Sequence, residues 1–386
     1  MSDQSEQFNE NIVCTIICQN YIAQARTLFQ SLQVNHGRIH FYVLVVDLLD
    51  DNKMISTNDK NFHVIYLKEL RIFNLESFTF KYNVTEMCTA VKPYFLSLLV
   101  DKFKYSKIIY LDPDIYVYQS LNIIYELLND FSIILTPHLS LSSLPDDGCI
   151  ISDEFILVSG AYNLGFLALA NTQVAHNFLK WWQSKLYDKC VINISHGLFV
   201  DQKWIDLVPG MFDDVHILRE PGYNVAYWNL HERNLVKVDN IWYCNGKLLY
   251  FYHFSGLVID ELELISRHQN RFDLSNLPNL KLLFDSYKEK LLANNYLETC
   301  VTNYVYNYYS DGSPISQYDR KCYYLLGLDG QKKFPNPFDT RNKKSFKNHL
   351  WKIRPVMNIK SRLLDFVPEK LILLFKSWLR KSISSK

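Results

Sequence analysis

Asp112 and Asp114 close an apolar run, "KIIYLDPDIYV" at 107–117, with Pro113 between them. Carboxylates at the end of a buried strand are costly unless something pairs with them. At Asp-X-Asp spacing the two can share a divalent ion, which then holds two phosphate oxygens of a nucleoside diphosphate. Oxygen-rich ligation suits Mg²⁺ or Mn²⁺. Such an ion neutralises charge building on a departing diphosphate. The same pattern also fits an acidic turn, with Asp114 solvated and Asp112 capping a helix.

Two further positions carry chemistry. His253 lies between "YFY" and "FSG". It can complete a metal site as a neutral imidazole, or serve as a satisfied structural residue among aromatics. Asp201 and Gln202 follow "HGLFV" at the start of a short helix. Asp201 fits an N-cap. It equally fits a carboxylate facing the reacting carbon of a sugar, where it would stabilise an oxocarbenium-like centre. A phosphohydrolase of the haloacid-dehalogenase type shares the Asp-X-Asp spacing. That class has Thr or Val where this chain has Tyr116, and its motif opens the fold instead of following several strands.

These residues need a frame. "NIVCTIIC", "IHFYVLVVD", "FHVIYL", "KIIYL" and "FSIILTP" read as buried strands, and "YNLGFLALA" as a strand with a polar entry. Between them, Ile22, Ala25, Leu28, Phe29 and Leu32 recur at helical spacing. The span 84–103 also reads as helix, with Pro93 opening its second part. Strands alternating with helices predict an α/β fold with a mostly parallel sheet. Ligands of such sheets bind at the carboxyl ends of the strands. That rule places "CQNY", Asp47 and the Asp-Pro-Asp turn along one edge. Asn245-Gly246 between two aromatic runs predicts a hairpin whose second strand ends near His253. From about 275 the chain reads as helical.

The composition is that of an ordinary globular protein: 386 residues, 48% hydrophobic and 21% charged. The aromatic share of 15% fits either sugar and base binding or an AT-rich genome. Net charge is only +1, yet residues 341–386 hold thirteen Lys/Arg against Asp365 and Glu369. That tail is therefore strongly basic and the rest acidic, which points to an anionic partner for the tail. Leu371, Leu374, Phe375, Trp378 and Leu379 fall near one face of a basic amphipathic helix. The pattern predicts peripheral contact with an anionic membrane, or a terminal helix packed on the domain. No apolar stretch reaches the length of a bilayer span. Nucleic acid is not an expected partner, because the main body is acidic and carries no nucleic-acid motif. The eight cysteines contain no CxxC pair, and Cys14 and Cys18 fall on one face of a strand as buried thiols. With no signal peptide, a reduced cytoplasmic setting is expected, at the inner face of the membrane if the tail docks there.

Taken in order, "CTIICQNY", "YLDPDIYV", "GAYNLGFLAL", "GLFVDQKWIDLVP", "PGYNVAYWNLHER" and "YFYHFSG" resemble the GT-A-fold glycosyltransferases. The likeness is to the retaining family 8 type and to bacterial glycosyltransferase-like proteins of surface-polysaccharide loci. It covers about residues 10–260. The resemblance implies a GT-A catalytic domain at 11–270, after a disordered 1–10 and before a mostly helical 271–386. It implies transfer of a sugar from a nucleotide sugar, by expectation UDP-linked, to a hydroxyl of a glycan or lipid-linked glycan, with retention. A non-catalytic carbohydrate- or nucleotide-binding relative would keep the same fold.

Roles follow at the matched positions. Tyr21 would stack on the base, with Thr15 and Asn20 nearby and Asp47 at the same edge. Lys92 would stand near the donor phosphates and sugar, and Asn163 would touch the donor sugar. Asp112, Asp114 and His253 would bind Mn²⁺ or Mg²⁺. Asp201 and Gln202 match the acidic/amide pair beside the anomeric carbon. Asn224, Trp228, Asn229, His231 and Arg233 are candidates for the acceptor side or a closing loop, or form a polar loop packed by aromatics. Two departures stand out. Pro113 replaces a small residue, and "HFSGLVIDELE" lacks the family's Lys-Pro-Trp, so either the diphosphate lacks its usual lysine or Arg233 or a tail residue replaces it.

Overall fold

The computed structural model describes residues 11–37, 39–47, 62–103 and 105–354. The expectations of a disordered segment at 1–10 and of a basic amphipathic helix near the C-terminus fall on residues outside these. Among the described residues no helix is long and apolar enough to cross a membrane.

The first strands are β1 (Asn11–Ile17), β2 (His40–Val45), β3 (His63–Tyr66), β4 (Lys107–Leu111) and β5 (Ile115–Val117). After them come β6 (Ile133–Pro137), β7 (Tyr162–Ala170), the short pair β8 (Ile192–Asn193) and β9 (Leu198–Phe199), and β10 (Val215–Ile217). The last are β11 (Leu235–Val238), β12 (Ile241–Cys244), β13 (Lys247–Leu248) and β14 (Phe251–His253). Seven strands form the central sheet in the order β10-β6-β7-β4-β1-β2-β3. All its pairings are parallel except those of β7, which runs antiparallel to both β4 and β6. The expected α/β architecture, mostly parallel with helices on its flanks and a helical C-terminal region, is what forms.

Both faces of this sheet are buried, which is why its strands read as continuous apolar runs. Alternate residues of β1 go to opposite sides. Ile12, Cys14 and Ile16 pack with Phe95 and Leu99 of the helix Lys92–Phe103 and with Phe178 and Trp182 of the helix Gln173–Lys189. Val13 and Ile17 pack with Leu28 and Leu32 of the helix Ile22–His36. Each such side chain, fully buried, contributes about 1.5–3 kcal/mol. The span 84–103 is two helices, Val84–Ala90 and Lys92–Phe103, and Pro93 stands in the first turn of the second.

One expectation needs correcting. The hairpin forms at Asn245-Gly246, both in the left-handed region at φ 52° and 75°, but its second strand β13 ends at Leu248. His253 belongs to a separate strand, β14, which pairs antiparallel with β5, placing His253 opposite Ile115. The chain switches partners because Tyr250 N–H bonds Gly222 and its carbonyl accepts from Tyr118 N–H. That switch carries His253 back to the Asp-Pro-Asp turn. The helix Pro278–Ala293 then covers β14, stacking Tyr287 on Phe254 with ring centroids 3.8 Å apart.

Candidate functional site

The parallel strands β1, β2, β4 and β6 all end at one edge, and β7, running the other way, begins there. Gln19, Asp47, Asp112 and His138 follow the strand ends, and Asn163 lies at the entry of β7. Topology alone thus collects polar groups from five strands, the arrangement in which α/β sheets bind ligands.

Asp112, Asp114 and His253 meet here, with one ligand atom from each lying within 4.8 Å of the others. His253 Nε2 is 3.0 Å from Asp114 Oδ1 and 3.8 Å from Asp112 Oδ2. The Tyr110 hydroxyl donates to Asp112 Oδ1 at 2.6 Å. Phe254 N–H donates to the Asp114 carbonyl and so fixes the two strands' alignment. Burial opposes the charge on His253, but the neighbouring Asp114 carboxylate raises its pKa overall. Burial likewise opposes charge on Asp114, and His253 outweighs it, holding that carboxyl below its usual range. Gly165 makes room for this imidazole: a Cβ there would lie 2.4 Å from His253 Cε1. Two carboxylates still partly open to solvent and one buried imidazole are a donor set that fits Mg²⁺ or Mn²⁺.

Beside this cluster sits a buried ion pair. Lys92 Nζ is 2.8 Å from Asp201 Oδ2, with both side chains 2% exposed. Lys92 also donates to the Leu164 carbonyl and lies 4.4 Å from the Tyr110 ring centroid. Burial works against the lysine's charge, yet Asp201 and Asp112 together raise its pKa. Burial pushes Asp201 up, only partly offset by Lys92. Asp201 begins the helix Gln202–Ile205 but makes no side-chain cap bond, so the N-cap reading does not describe it. Gln202 turns to the Ser159 carbonyl at 2.8 Å.

Along β1 and β2, Asp47 accepts from the Gln19 backbone N–H at 2.9 Å, and its own carbonyl accepts from Gln19 Nε2 at 2.9 Å. Burial raises the Asp47 carboxyl to about 6, despite those bonds. Gln19 lies in the "CQNY" segment placed at this edge, but only its neighbours Asn20 and Tyr21 were singled out for a role. Asn20 and Tyr21 complete the same 3-10 turn. Burial raises the Tyr21 phenol, with Asp114 adding to the shift and Arg267 opposing it. Thr15 is wholly buried within β1, and its hydroxyl has no partner among the described residues.

The wall beyond the acids is polar. Asn163 Oδ1 accepts from Gly165 N–H at 3.0 Å and from Asn224 Nδ2 at 3.1 Å, while its Nδ2 faces His138 Nε2 at 3.3 Å. Asn224 has a left-handed backbone, φ 51°, and also donates to Thr136. Trp228 stands edge-on to both His138 and His253, each with centroids 5.3 Å away. Sequence reasoning also missed His138; nothing marks it except its place just after β6. Burial lowers its pKa to about 4, so it is neutral near pH 7. Asn229 is turned inward as a brace, bonding Ala226 N–H and the carbonyls of His138 and Asn224. Arg233 is buried, with Nη2 committed to Ser140 and Glu232. His231 contacts the Ser142 carbonyl. The structure therefore gathers Asn163, Asn224 and Trp228 against the metal-type cluster, and turns Asn229, His231 and Arg233 toward the 138–142 loop.

No protein-family model matches the chain. Two uncharacterized proteins of Bacillus subtilis (strain 168), YfnF and YfnD, are each 24% identical to it, over 257 and 251 residues. The matches span 66% of this chain and 84% of YfnF, and 64% of this chain and 77% of YfnD. Among solved structures, the galactosyltransferase LgtC in complex with donor and acceptor sugar analogs is similar at TM-score 0.45 and 14% identity, over 73% of this chain and 95% of that one. The glycosyltransferase GlyE of Streptococcus pneumoniae TIGR4 is similar at TM-score 0.41 and 15% identity, over 78% and 67%. At such distances these likenesses carry no weight for the chemistry of the site, which rests on its own geometry.

Proposed function

We propose that this chain is a metal-dependent glycosyltransferase of the GT-A type, with its catalytic unit at 11–270 and 271–386 as a helical extension. It would move a sugar from a nucleotide sugar, UDP-linked by preference, to a hydroxyl of a glycan or lipid-linked glycan with retention, in bacterial surface-polysaccharide synthesis. One observation carries the reading. A two-carboxylate, one-imidazole cluster and a buried carboxylate–lysine pair share one sheet edge, the former suited to a diphosphate-bound cation and the latter to a cationic carbon.

Asp112, Asp114 and His253 would hold Mn²⁺ or Mg²⁺, whose chemistry there is to neutralise the diphosphate. The bond from the anomeric carbon to the phosphate oxygen breaks, and its electron pair leaves with the nucleoside diphosphate. Asp201, ion-paired with Lys92, stabilises the positive carbon. Gln202 braces the start of that helix through Ser159. The acceptor oxygen bonds the carbon, and its proton passes to the departing phosphate oxygen, so the site needs no separate base. Tyr21, Asn20, Thr15 and Asp47 form the nucleoside side. Asn163, Asn224 and Trp228 form the sugar side, with Asn229, His231 and Arg233 supporting the loop on the acceptor side. A peripheral membrane contact through the basic tail would suit a lipid-linked acceptor.

The test is turnover of UDP-, GDP- and dTDP-sugars with Mn²⁺, read as nucleotide release and as anomeric configuration by NMR. Metal-dependent release of one nucleotide with retained configuration is expected. Binding of a nucleotide sugar without turnover in the presence of glycan acceptors would make the chain a non-catalytic relative.

A further inference from the structure

The proposed site lacks one charge. Its carboxylates Asp112, Asp114 and Asp201 are matched in number by Lys92 and one divalent ion, which leaves it near neutral before a diphosphate arrives. A departing nucleoside diphosphate brings two to three negative charges, and a charge developing in a low-dielectric site needs a preorganised counter-charge. Arg233, one of the residues expected to supply it, has its Nη2 committed to Ser140 and Glu232.

The segment 264–273 presents a different cation. An antiparallel bridge between Leu264 and Asp273 closes it into a loop. Gln269 braces it from inside, accepting from Arg271 and Phe272 N–H at 2.8 Å each. Arg271 clamps it outward with a two-bond contact to Asp147. The tip of the loop lies on the turn that follows His253. Arg267 N–H donates to the Gly256 carbonyl at 3.0 Å. Gly256 has φ +73°, and a Cβ there would lie 2.4 Å from His268 Cδ2 and from Ser266 Oγ. His268 packs toward Tyr227. The Arg267 side chain is exposed, donates from Nε to His268 Nε2 at 3.5 Å, and has no carboxylate partner among the described residues, which leaves its two Nη groups for a ligand. Its positive charge opposes the burial-driven rise of the Tyr21 and Tyr296 phenols, which lie on the same side of the site.

Resting on the glycosyltransferase reading above, we infer that Arg267 is the cation that receives the metal-held diphosphate, standing between the Tyr21 turn and the His253–Gly256 turn. Its guanidinium binds the phosphate oxygens that face away from the two acids, and a planar fork suits that contact. The rigid loop pre-sets its position, so little ordering is lost on binding.

The experiment is calorimetric binding of UDP, GDP and dTDP, and of uridine, guanosine and thymidine, with Mn²⁺ present. The proteins are wild type, Arg267→Ala, Arg267→Lys and Asp114→Asn. Arg267→Ala is expected to weaken the preferred nucleoside diphosphate about tenfold or more, the scale of a charge-assisted hydrogen bond. The matching nucleoside should change by less than about twofold, and Arg267→Lys should recover part of the loss. Equal diphosphate affinity in Arg267→Ala and wild type overturns the assignment while the parent reading stands, provided Asp114→Asn has lost binding. An equal loss for diphosphate and nucleoside also overturns it, since the residue then acts only on structure. If wild type binds no nucleoside diphosphate, both fall.

Discussion

Arg320 and Lys92 are both cations sealed inside the protein at 2% exposure, and the chain answers them in opposite ways. Arg320, on the helix Gln317–Leu325, donates to the carbonyls of Phe80 and Tyr306 and to Asn307 Oδ1. Its partners are neutral acceptors, each in hydrogen-bond range, and it locks that helix against Phe80. Lys92 instead faces Asp201, which burial pushes toward protonation, with Asp112 near enough to raise the pKa of both. Among the described residues, orphaned buried atoms occur near both: the Tyr304 and Tyr309 hydroxyls beside Arg320, and His138 Nδ1, Asn224 Oδ1, Trp228 Nε1 and His253 Nδ1 on the sheet edge that carries the candidate site. A buried charge kept for stability is satisfied, because each orphaned polar atom costs about 1–3 kcal/mol. What sets the Lys92 region apart is its charge: three carboxylates, Asp112, Asp114 and Asp201, gather near one lysine and one imidazole, a set built to be completed by a cation.

That contrast can be broken by substitution. Asp201→Asn is expected to have the largest effect: turnover falls about 1,000-fold, while Mn²⁺-dependent nucleotide affinity stays within about threefold of wild type. Steady-state kinetics alongside calorimetry checks both halves. Arg320→Leu should do the reverse. It strands three acceptors and should lower unfolding free energy by about 3–5 kcal/mol, seen as a lower urea midpoint, with nucleotide affinity of the folded protein unchanged.

Asp47 sharpens the comparison through pH. Its folded pKa of about 6 lies above its ordinary 3.8, so folding favours the protonated form. The associated stability is fully present below the ordinary value and is lost as pH rises through about 6. Asp47→Asn keeps an oxygen for Gln19 N–H and removes that loss. The variant should therefore unfold at higher urea than wild type at pH 8, by up to about 3 kcal/mol, with the gap narrowing steadily toward pH 4. A gap that is the same at both pH values would contradict the assignment. The smallest effect is expected from Gly165→Ala. Its Cβ displaces His253, and Mn²⁺ affinity, followed by electron paramagnetic resonance, should fall about 10- to 100-fold with the global fold intact.

The frame of this site was legible because its signals are local. Buried strands announce themselves as apolar runs, and the strand-end rule placed Gln19–Tyr21, Asp47 and Asp112 on one edge without further information. Asp114 and Asp201 were legible as candidates, but a solvated turn and an N-cap fitted them equally well until the fold placed them beside His253 and Lys92. The pairing of Lys92 with Asp201 was not, since two sides of a buried ion pair on separate helices leave no joint pattern in sequence. His253 was read as the end of a hairpin because "NG" between aromatic runs dominates the local signal. Its real partner, β5, is three residues long and carries no pairing signal of its own. His138 and Arg267 matter only through what the fold brings beside them.

The central claim is that Asp112, Asp114 and His253 form one cation site that governs nucleotide binding. The most direct measurement is titration of UDP, GDP and dTDP into wild type and Asp114→Asn, with Mn²⁺ and with EDTA. The account predicts that one nucleotide binds wild type only with Mn²⁺, and that Asp114→Asn loses this binding while remaining folded. Equal binding with Mn²⁺ and with EDTA, or undiminished binding by Asp114→Asn, would contradict it.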